Sequence, residues 1–383
     1  MKNMNRLSIS AIIALLLLIQ PSLAEVTLEA GTTIVGQQAS KQNNSINRDV
    51  IGSVDLVMGA DIGPGRLHIY GEGSTTPAIS ANSVIAGANH DAGSAVDKNG
   101  NGRVQLSAIR YDFDIDRLNV SLGVQDLTAF ADTTAVSNDE TSQFLAGPLV
   151  HNPAVAFPDY TPSLVLSHGA EDVVNATLLV ANAYGLGDNP SANYADLFKF
   201  GRDKNTNLRK GIFTLAELRL PNDVGATLGG WMRTSELPQH LGGANRNSAF
   251  GVYANADGGL GGNTLWSARL GWNSARTTDE VIAHASMAVE HSYTEDHVIA
   301  LGVAWNGLSP DFRSTYANAA NPMVAELYYR WQVNEYVAIS PDVQYWSNAN
   351  SLSKNGVGRV GGSAWVCGLR VQIGVSHRMT HTE

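Results

Sequence analysis

The feature that most constrains this chain is a two-residue alternation of apolar and polar side chains that restarts many times along its length. Leu118, Val120, Leu122 and Val124 alternate with Arg117, Asn119, Ser121, Gly123 and Gln125. Val50, Val54, Leu56, Met58, Ala60 and Ile62 share one parity, with Ser53, Asp55 and Asp61 on the other. Near the end, Trp365, Cys367, Leu369, Val371 and Ile373 alternate with Val366, Gly368, Arg370 and Gln372. Successive side chains of a strand face opposite ways, so each run fits a strand with one apolar and one polar face. Helical patterning of comparable length is absent from the sequence.

Sixteen segments carry this pattern: 25–37, 49–62, 65–73, 103–113, 117–127, 161–168, 172–184, 211–220, 223–233, 248–257, 264–273, 281–292, 296–306, 322–333, 336–346 and 363–374. In 103–113 the parity changes midway, from Val104 and Leu106 to Ile109, Tyr111 and Phe113, which predicts a β-bulge. Pro341 lies inside a segment and predicts a bulge or a missing ladder hydrogen bond.

The connections are sorted by length. Gly63-Pro64, Asp114-Ile115-Asp116, Gly169-Ala170-Glu171, Pro221-Asn222, Tyr293-Thr294-Glu295 and Asn334-Glu335 are tight turns, and Gly258–Asn263 is a longer member of the same set. Between them come longer polar connections, near 38–48, 74–102, 128–160, 185–210, 234–247, 274–280, 307–321 and 347–362. Short and long alternate throughout, which puts every tight turn on one side together with both termini. A soluble β-sandwich has no reason to sort its loops in this way. A transmembrane barrel does, having short periplasmic turns and long extracellular loops. The fold class expected is therefore all-β, a transmembrane antiparallel β-barrel of about sixteen strands, wide enough for an aqueous channel.

Composition agrees. Charged residues are 16% of the chain and hydrophobic residues 44%, as expected when one strand face meets lipid. Residues 1–24 have the layout of a secretory signal, with Lys2 and Arg6, the apolar run Ala11–Ile19, and Ser22-Leu23-Ala24 before the expected cleavage point. Nine apolar residues are too few to span a bilayer. The expected organisation is signal peptide 1–24, barrel 25–375 and a short polar tail 376–383, exported to a bacterial outer membrane. Acidic residues outnumber basic ones by 35 to 25, which argues against nucleic acid as a partner. Trp272, Trp305, Trp331, Tyr336, Tyr345 and Trp365 fall near strand ends and suit interfacial girdles.

Taking the polar parity as inward gives the expected pore lining: Arg66, Tyr70, Glu72, Glu217, Arg219, Trp231, Arg233, Arg269, Glu326, Tyr328, Arg330 and Arg370. Cation donors, carboxylate acceptors and aromatic faces together suit an uncharged polyhydroxylated solute. An anion or cation channel would have a more one-sided lining. Any one of these residues could equally be an ion pair bracing the wall. The longest connection, 128–160, is the candidate to fold inward as a constriction, carrying Asp132, Asp139, Glu140 and Gln143. Within it, 138–145 could form a short helix with an acidic first turn.

Two regions resemble a known family. Ala135-Val136-Ser137-Asn138-Asp139-Glu140-Thr141-Ser142-Gln143-Phe144-Leu145, followed by Asn152-Pro153-Ala154-Val155-Ala156-Phe157-Pro158, resembles the OprB-type carbohydrate-selective porins. So does Glu326-Leu327-Tyr328-Tyr329-Arg330-Trp331-Gln332 followed by Ser340-Pro341-Asp342-Val343-Gln344-Tyr345. The resemblance implies a Gram-negative outer-membrane channel passing sugars such as glucose by diffusion. The chain departs from that family's pattern at Trp346-Ser347-Asn348-Ala349, where an Asn-Pro-Gly-Gly-like stretch is usual. It also runs beyond Ile373 into Ser376–Glu383 instead of ending on an aromatic residue.

Other motifs carry less. Asp97-Lys98-Asn99-Gly100-Asn101-Gly102 matches the first half of a calcium loop, but its twelfth position is Ala108, so a Gly/Asn turn is the better reading. The histidines offer no convergent set for zinc catalysis, and no nucleophile elbow is present. No catalytic residue, cofactor or metal is expected. The leading expectation is a passive sugar porin in contact with outer-membrane lipid, as a monomer or a trimer. An outer-membrane barrel enzyme, a general diffusion porin and a soluble secreted sugar-binding β protein remain as alternatives. A closed barrel should migrate differently on gels before and after boiling; identical migration would favour the soluble alternative.

Overall fold

The computed structural model describes residues 25–40, 48–77, 84–91, 95–97, 99–169, 174–187, 194–199, 201–202, 207–221, 225–239, 242, 244–274, 281–316, 319–349 and 362–380. The leader 1–24 lies outside the described residues. Sixteen strands follow in order: β1 (Glu25–Ala39), β2 (Arg48–Ile62), β3 (Gly65–Ser74), β4 (Val104–Ile115), β5 (Leu118–Gln125), β6 (Thr161–His168), β7 (Asn175–Asn182) and β8 (Ile212–Arg219), then β9 (Thr227–Arg233), β10 (Ala249–Gly261), β11 (Thr264–Asn273), β12 (Val281–Thr294), β13 (His297–Leu308), β14 (Met323–Asn334), β15 (Val337–Ser347) and β16 (Ala364–Thr380). Each pairs antiparallel with its sequence neighbours, and β16 pairs with β1 to close the barrel. Short helices α1 (Gly147–Val150), α2 (Tyr194–Leu197) and α3 (Pro310–Thr315) lie in long connections.

The alternation is explained by this closure. Outward apolar side chains are bare in the isolated chain: Val54 is 52% exposed, Leu122 56% and Leu301 54%. Their neighbours of the other parity, including Ser53, Ser121 and Ala300, are buried inside. Hydrocarbon tolerates no unpaired backbone polar group, so only a closed ladder can carry such a surface. Aromatic side chains collect at both ends of the wall. Phe250–Trp272 and Tyr345–Trp365 ring pairs sit toward the long loops, while Tyr111–Phe113 and the Trp331 ring against His297 sit toward the tight turns. Tyr336 departs from the expected girdle: it lies in the β14–β15 turn and lines a recess of the inner wall.

The irregularities fall where the sequence breaks its own rule. Tyr70 pairs with Ala108 and Gly71 with Leu106, leaving Ser107 as the extra residue of a bulge in β4. Beside Pro341, the β14–β15 ladder passes from Tyr328↔Asp342 to Trp331↔Ile339 without a register shift, so bonding is interrupted locally. Two expected boundaries are corrected. Gly258–Asn263 is mostly strand, because β10 continues through a bulge at Gly259/Gly261 to a two-residue turn at 262–263. The wall does not stop at 375: β16 pairs with β1 as far as Glu25↔Thr380, so Ser376–Thr380 belong to the ladder instead of a tail.

Candidate functional site

The β5–β6 connection, residues 126–160, folds into the barrel and is tied to the wall by side chains of the inward parity. Glu326 on β14 accepts hydrogen bonds from the backbone N–H groups of Leu145 (2.7 Å) and Ala146 (2.8 Å). Arg370 on β16 donates to the carbonyls of Glu140 (3.0 Å) and Gln143 (2.7 Å). On β11, Arg269 donates to Asp132 O and Asn138 Oδ1, both 3.0 Å, and to Ser137 O, with the Asp132 carboxylate 3.6 Å away. Glu217 on β8 accepts from Asp132 N–H (2.9 Å) and from the Tyr253 hydroxyl (2.6 Å). Asn255 Nδ2 donates to Asp132 Oδ1 at 3.0 Å, and Asp132 Oδ2 accepts from Asn152 N–H at 2.9 Å. Asp132 thus gathers three wall strands, β8, β10 and β11, and the returning limb of its own loop. It and Ser137 hold left-handed φ values of 62° and 70°, conformations that need such support in residues other than glycine.

Apolar contacts follow the same path. Phe144, Ala146 and Leu149 pack on Ala288, Ala300, Ala304, Val324 and Tyr328, with Phe144 and Tyr328 meeting edge-on at 5.0 Å. A Cβ on Gly302 would lie 2.9 Å from both Phe144 and Leu149, so β13 makes room for the loop with a glycine between alanines. At the loop's base, Leu127, Ala131 and Val155 pack on Leu179, Phe213, Leu215 and Trp231. A second connection supports the first. Gln37 and Gln344 both donate to Ala88 O at 2.9 Å, and Ser53 donates to Asp91 at 2.6 Å. The His90 and His151 rings meet at 4.5 Å, tilted by 37°, joining the two connections.

These contacts divide the expected pore lining into two groups. Glu217, Arg269, Glu326, Tyr328 and Arg370 are consumed by the loop, and Trp231 is buried against Phe213; none presents a free surface to a passing solute. Their direct pore-lining role is therefore corrected: an inward side chain beneath an inward loop meets the loop first. Of the others, Glu72 is also buried, whereas Arg66, Tyr70, Arg219, Arg233 and Arg330 are partly exposed on the inward parity. Arg66 is bonded to Asp61 and Thr27, Tyr70 to Asp55 at 2.5 Å, and Glu72 to Gln105 and Ser107. Arg219 pairs with Asp257 at 2.9 Å, Arg233 lies over the Tyr184 ring, and Arg330 donates to Gln332.

In the loop, 138–145 makes a turn and not the expected helix. Asp139 draws in the N–H and hydroxyl of Thr141 and the hydroxyl of Ser142, and the helix forms later, as α1. Glu140 and Gln143 contribute backbone carbonyls to Arg370; the Gln143 side chain spans Asn138 N–H and Ala135 O. Asp97 accepts from Asn99 and Asn101 N–H, the turn favoured over a calcium loop.

Residues overlooked in the sequence include Arg110 and Asp112, bonded at 3.1 Å, with Arg110 5.1 Å from the Phe130 ring centroid. The parity change at the β4 bulge was the signal that turns them inward. Asn255 and Gln344 had only polar parity to mark them.

Profile matching identifies residues 28–374 as "Carbohydrate-selective porin, OprB family". The chain belongs to the OprB family of carbohydrate-selective porins. Among solved structures, Pseudomonas putida OprB superposes with a TM-score of 0.67 at 14% identity, covering 92% of this chain and 94% of that one. An anion-selective porin of Comamonas acidovorans gives a TM-score of 0.54 at 10% identity, over 92% and 100% of the two chains. The DcaP channel of Acinetobacter baumannii gives 0.51 at 8% identity, over 92% and 96%. At these identities the likeness is one of fold. An uncharacterized Aquifex aeolicus protein is 39% identical over 71 residues, which is 18% of this OprB-family chain and 23% of that protein.

The clamps have measurable consequences. Glu326→Ala leaves two buried N–H groups without an acceptor, at about 2–4 kcal/mol of loop docking; single-channel conductance should rise and protease should cut near 145. An unchanged channel would mean that the apolar contacts alone hold the loop. Burial raises the Asp91 carboxyl to about 6 from 3.8 in its exposed state. Its docked form therefore binds the extra proton, so docking is strongest below pH 3.8 and weakens as pH rises through 6. Current noise should increase over that window, and Asp91→Asn should flatten the dependence.

Proposed function

We propose that this OprB-family chain is exported by its leader 1–24 to a bacterial outer membrane. There it passes small uncharged sugars by diffusion through the gap left beside the 126–160 loop. The observation that carries this reading is the asymmetric clamping of that loop. Most of its hydrogen bonds to the wall come from β8, β10, β11, β14 and β16. Toward β3 and β4 it reaches Tyr70 through Tyr160 and Arg110 through Phe130, near its two ends. Across the barrel, β2–β4 present Asp55, Asp61, Arg66, Tyr70, Arg110 and Asp112.

That wall alternates donors and acceptors already bonded to one another. A hydroxyl can enter such a network by exchanging one bond for another, which favours polyols. A small anion meets the carboxylates and a small cation meets the guanidiniums, so neither sign gains a one-sided path. Binding of this kind is weak and multiple, as passage requires. Arg219 and Arg330 complete the proposed lining toward the tight-turn end. The apolar outer face suits lipid, and also a neighbouring copy of the chain. The family and the fold speak for a channel rather than an enzyme.

In a planar bilayer, glucose or maltose should reduce the current through the purified channel, and succinate should not. Channels indifferent to every sugar would make this a general diffusion porin. Arg330→Ala or Arg219→Ala should change conductance or sugar block; variants identical to wild type would make those residues wall braces.

A further inference from the structure

The inner wall carries a recess of about 420 Å³ between β1–β2 and β14–β16, away from the loop clamps. Its floor exists because small residues meet there. Gly31 on β1 pairs with Gly374 on β16, and Ala338 on β15 lies alongside. A Cβ added at Gly31 would meet nothing within 4 Å. Gly374 N–H donates to Tyr336 O in the β14–β15 turn, so the recess sits at the tight-turn mouth of the barrel.

The recess is chemically prepared as well as empty of side chains. Arg330 spends Nη2 on Gln332 at 2.5 Å, while its buried Nε has no partner. The buried Gln372 Oε1 is likewise unpartnered. Those two atoms are sealed from the cavity, whose polar lining is a mixed set of donor and acceptor residues: Arg330, Gln332 and Gln372 with the carboxylate residues Glu29 and Asp55. A lining with both donors and acceptors suits a ligand that offers both a hydroxyl hydrogen and a hydroxyl oxygen.

We propose that this recess is an exit subsite for a neutral monosaccharide, occupied after the sugar has passed the constriction. Its size falls in the roughly 300–1,000 Å³ range of small-molecule sites. Donor and acceptor together match vicinal hydroxyls, which can accept from Arg330 and donate to Gln372. Glu29, Asp55 and Glu335 against a single Arg330 disfavour an anion. The proposal rests on the sugar-channel reading and adds a second station to it.

The test uses Gly31→Cys in the full-length chain with Cys367, its one cysteine, changed to Ser. Open space at Gly31 leaves room for the thiol, and the gel shift on boiling checks folding. Labelling by a charged methanethiosulfonate is followed with and without glucose, alongside Thr177→Cys on the inner wall of β7. At ten times its dissociation constant, glucose should slow labelling at position 31 about tenfold and leave position 177 nearly unchanged. Adding Arg330→Gln should abolish most of that protection. Current block by glucose without protection at position 31, or equal protection at both positions, overturns the subsite and leaves the channel reading intact. Neither block nor protection overturns both. Protection by gluconate as strong as by glucose would overturn the assignment to a neutral sugar.

Discussion

The ladder joining β1 to β16, from Glu25↔Thr380 to Ala39↔Val366, is the interaction on which the rest of the structure depends. In water a sheet edge is a liability; in hydrocarbon it is prohibitive, because no solvent can satisfy its N–H and C=O groups. Closure removes the edge and, in the same step, defines an inside. Only then does the alternation acquire two meanings, apolar toward lipid and polar toward water. The inward carboxylates and guanidiniums depend on it, since on a lipid-facing wall a guanidinium costs about 2–4 kcal/mol at the midplane and a carboxylate a smaller penalty.

Inside, the constriction is held by charges satisfied through backbone. Glu326 has no exposed surface and Arg370 is 1% exposed, yet each is matched by the loop's own N–H or C=O groups. Such charge-assisted bonds are roughly twice as strong as neutral ones and directional. They fix where the loop lies, while Phe144 and Leu149, seated over Gly302, exclude water from the contact. The loop resembles a packed domain face more than a flap. Its left-handed Asp132 shows that the anchoring outweighs local backbone preference.

The wall was legible in the sequence because period-two patterning is local. Even its exceptions could be read there, as with the parity change at Ser107 and the misfit of Pro341. Strand ends were less legible: Gly258–Gly261 looks like a loop by composition, and the pairing of Ser376–Thr380 depends on β1, hundreds of residues away. For the pore lining, parity gave the correct side of the wall but could not say what lies against it. Arg269, Glu326 and Arg370 carry the same signal as Arg66 or Arg330, and only tertiary structure separates a loop anchor from an open lumen. Asp139 shows the converse: its side chain closes a turn where composition suggested a helix.

The Glu326 clamp spans 181 residues of sequence and the Arg370 contact to Glu140 spans 230. Contacts so distant form late, after the intervening chain has been organised. The loop belongs to the first half of the chain; β8, β10 and β11 hold its Asp132 end, and the Phe144 end waits for β14 and β16, the latter being the strand that seals the barrel. An unfinished assembly therefore has a half-fastened plug and an open seam together. The last strand completes the cylinder and fixes the free end of its plug in the same step.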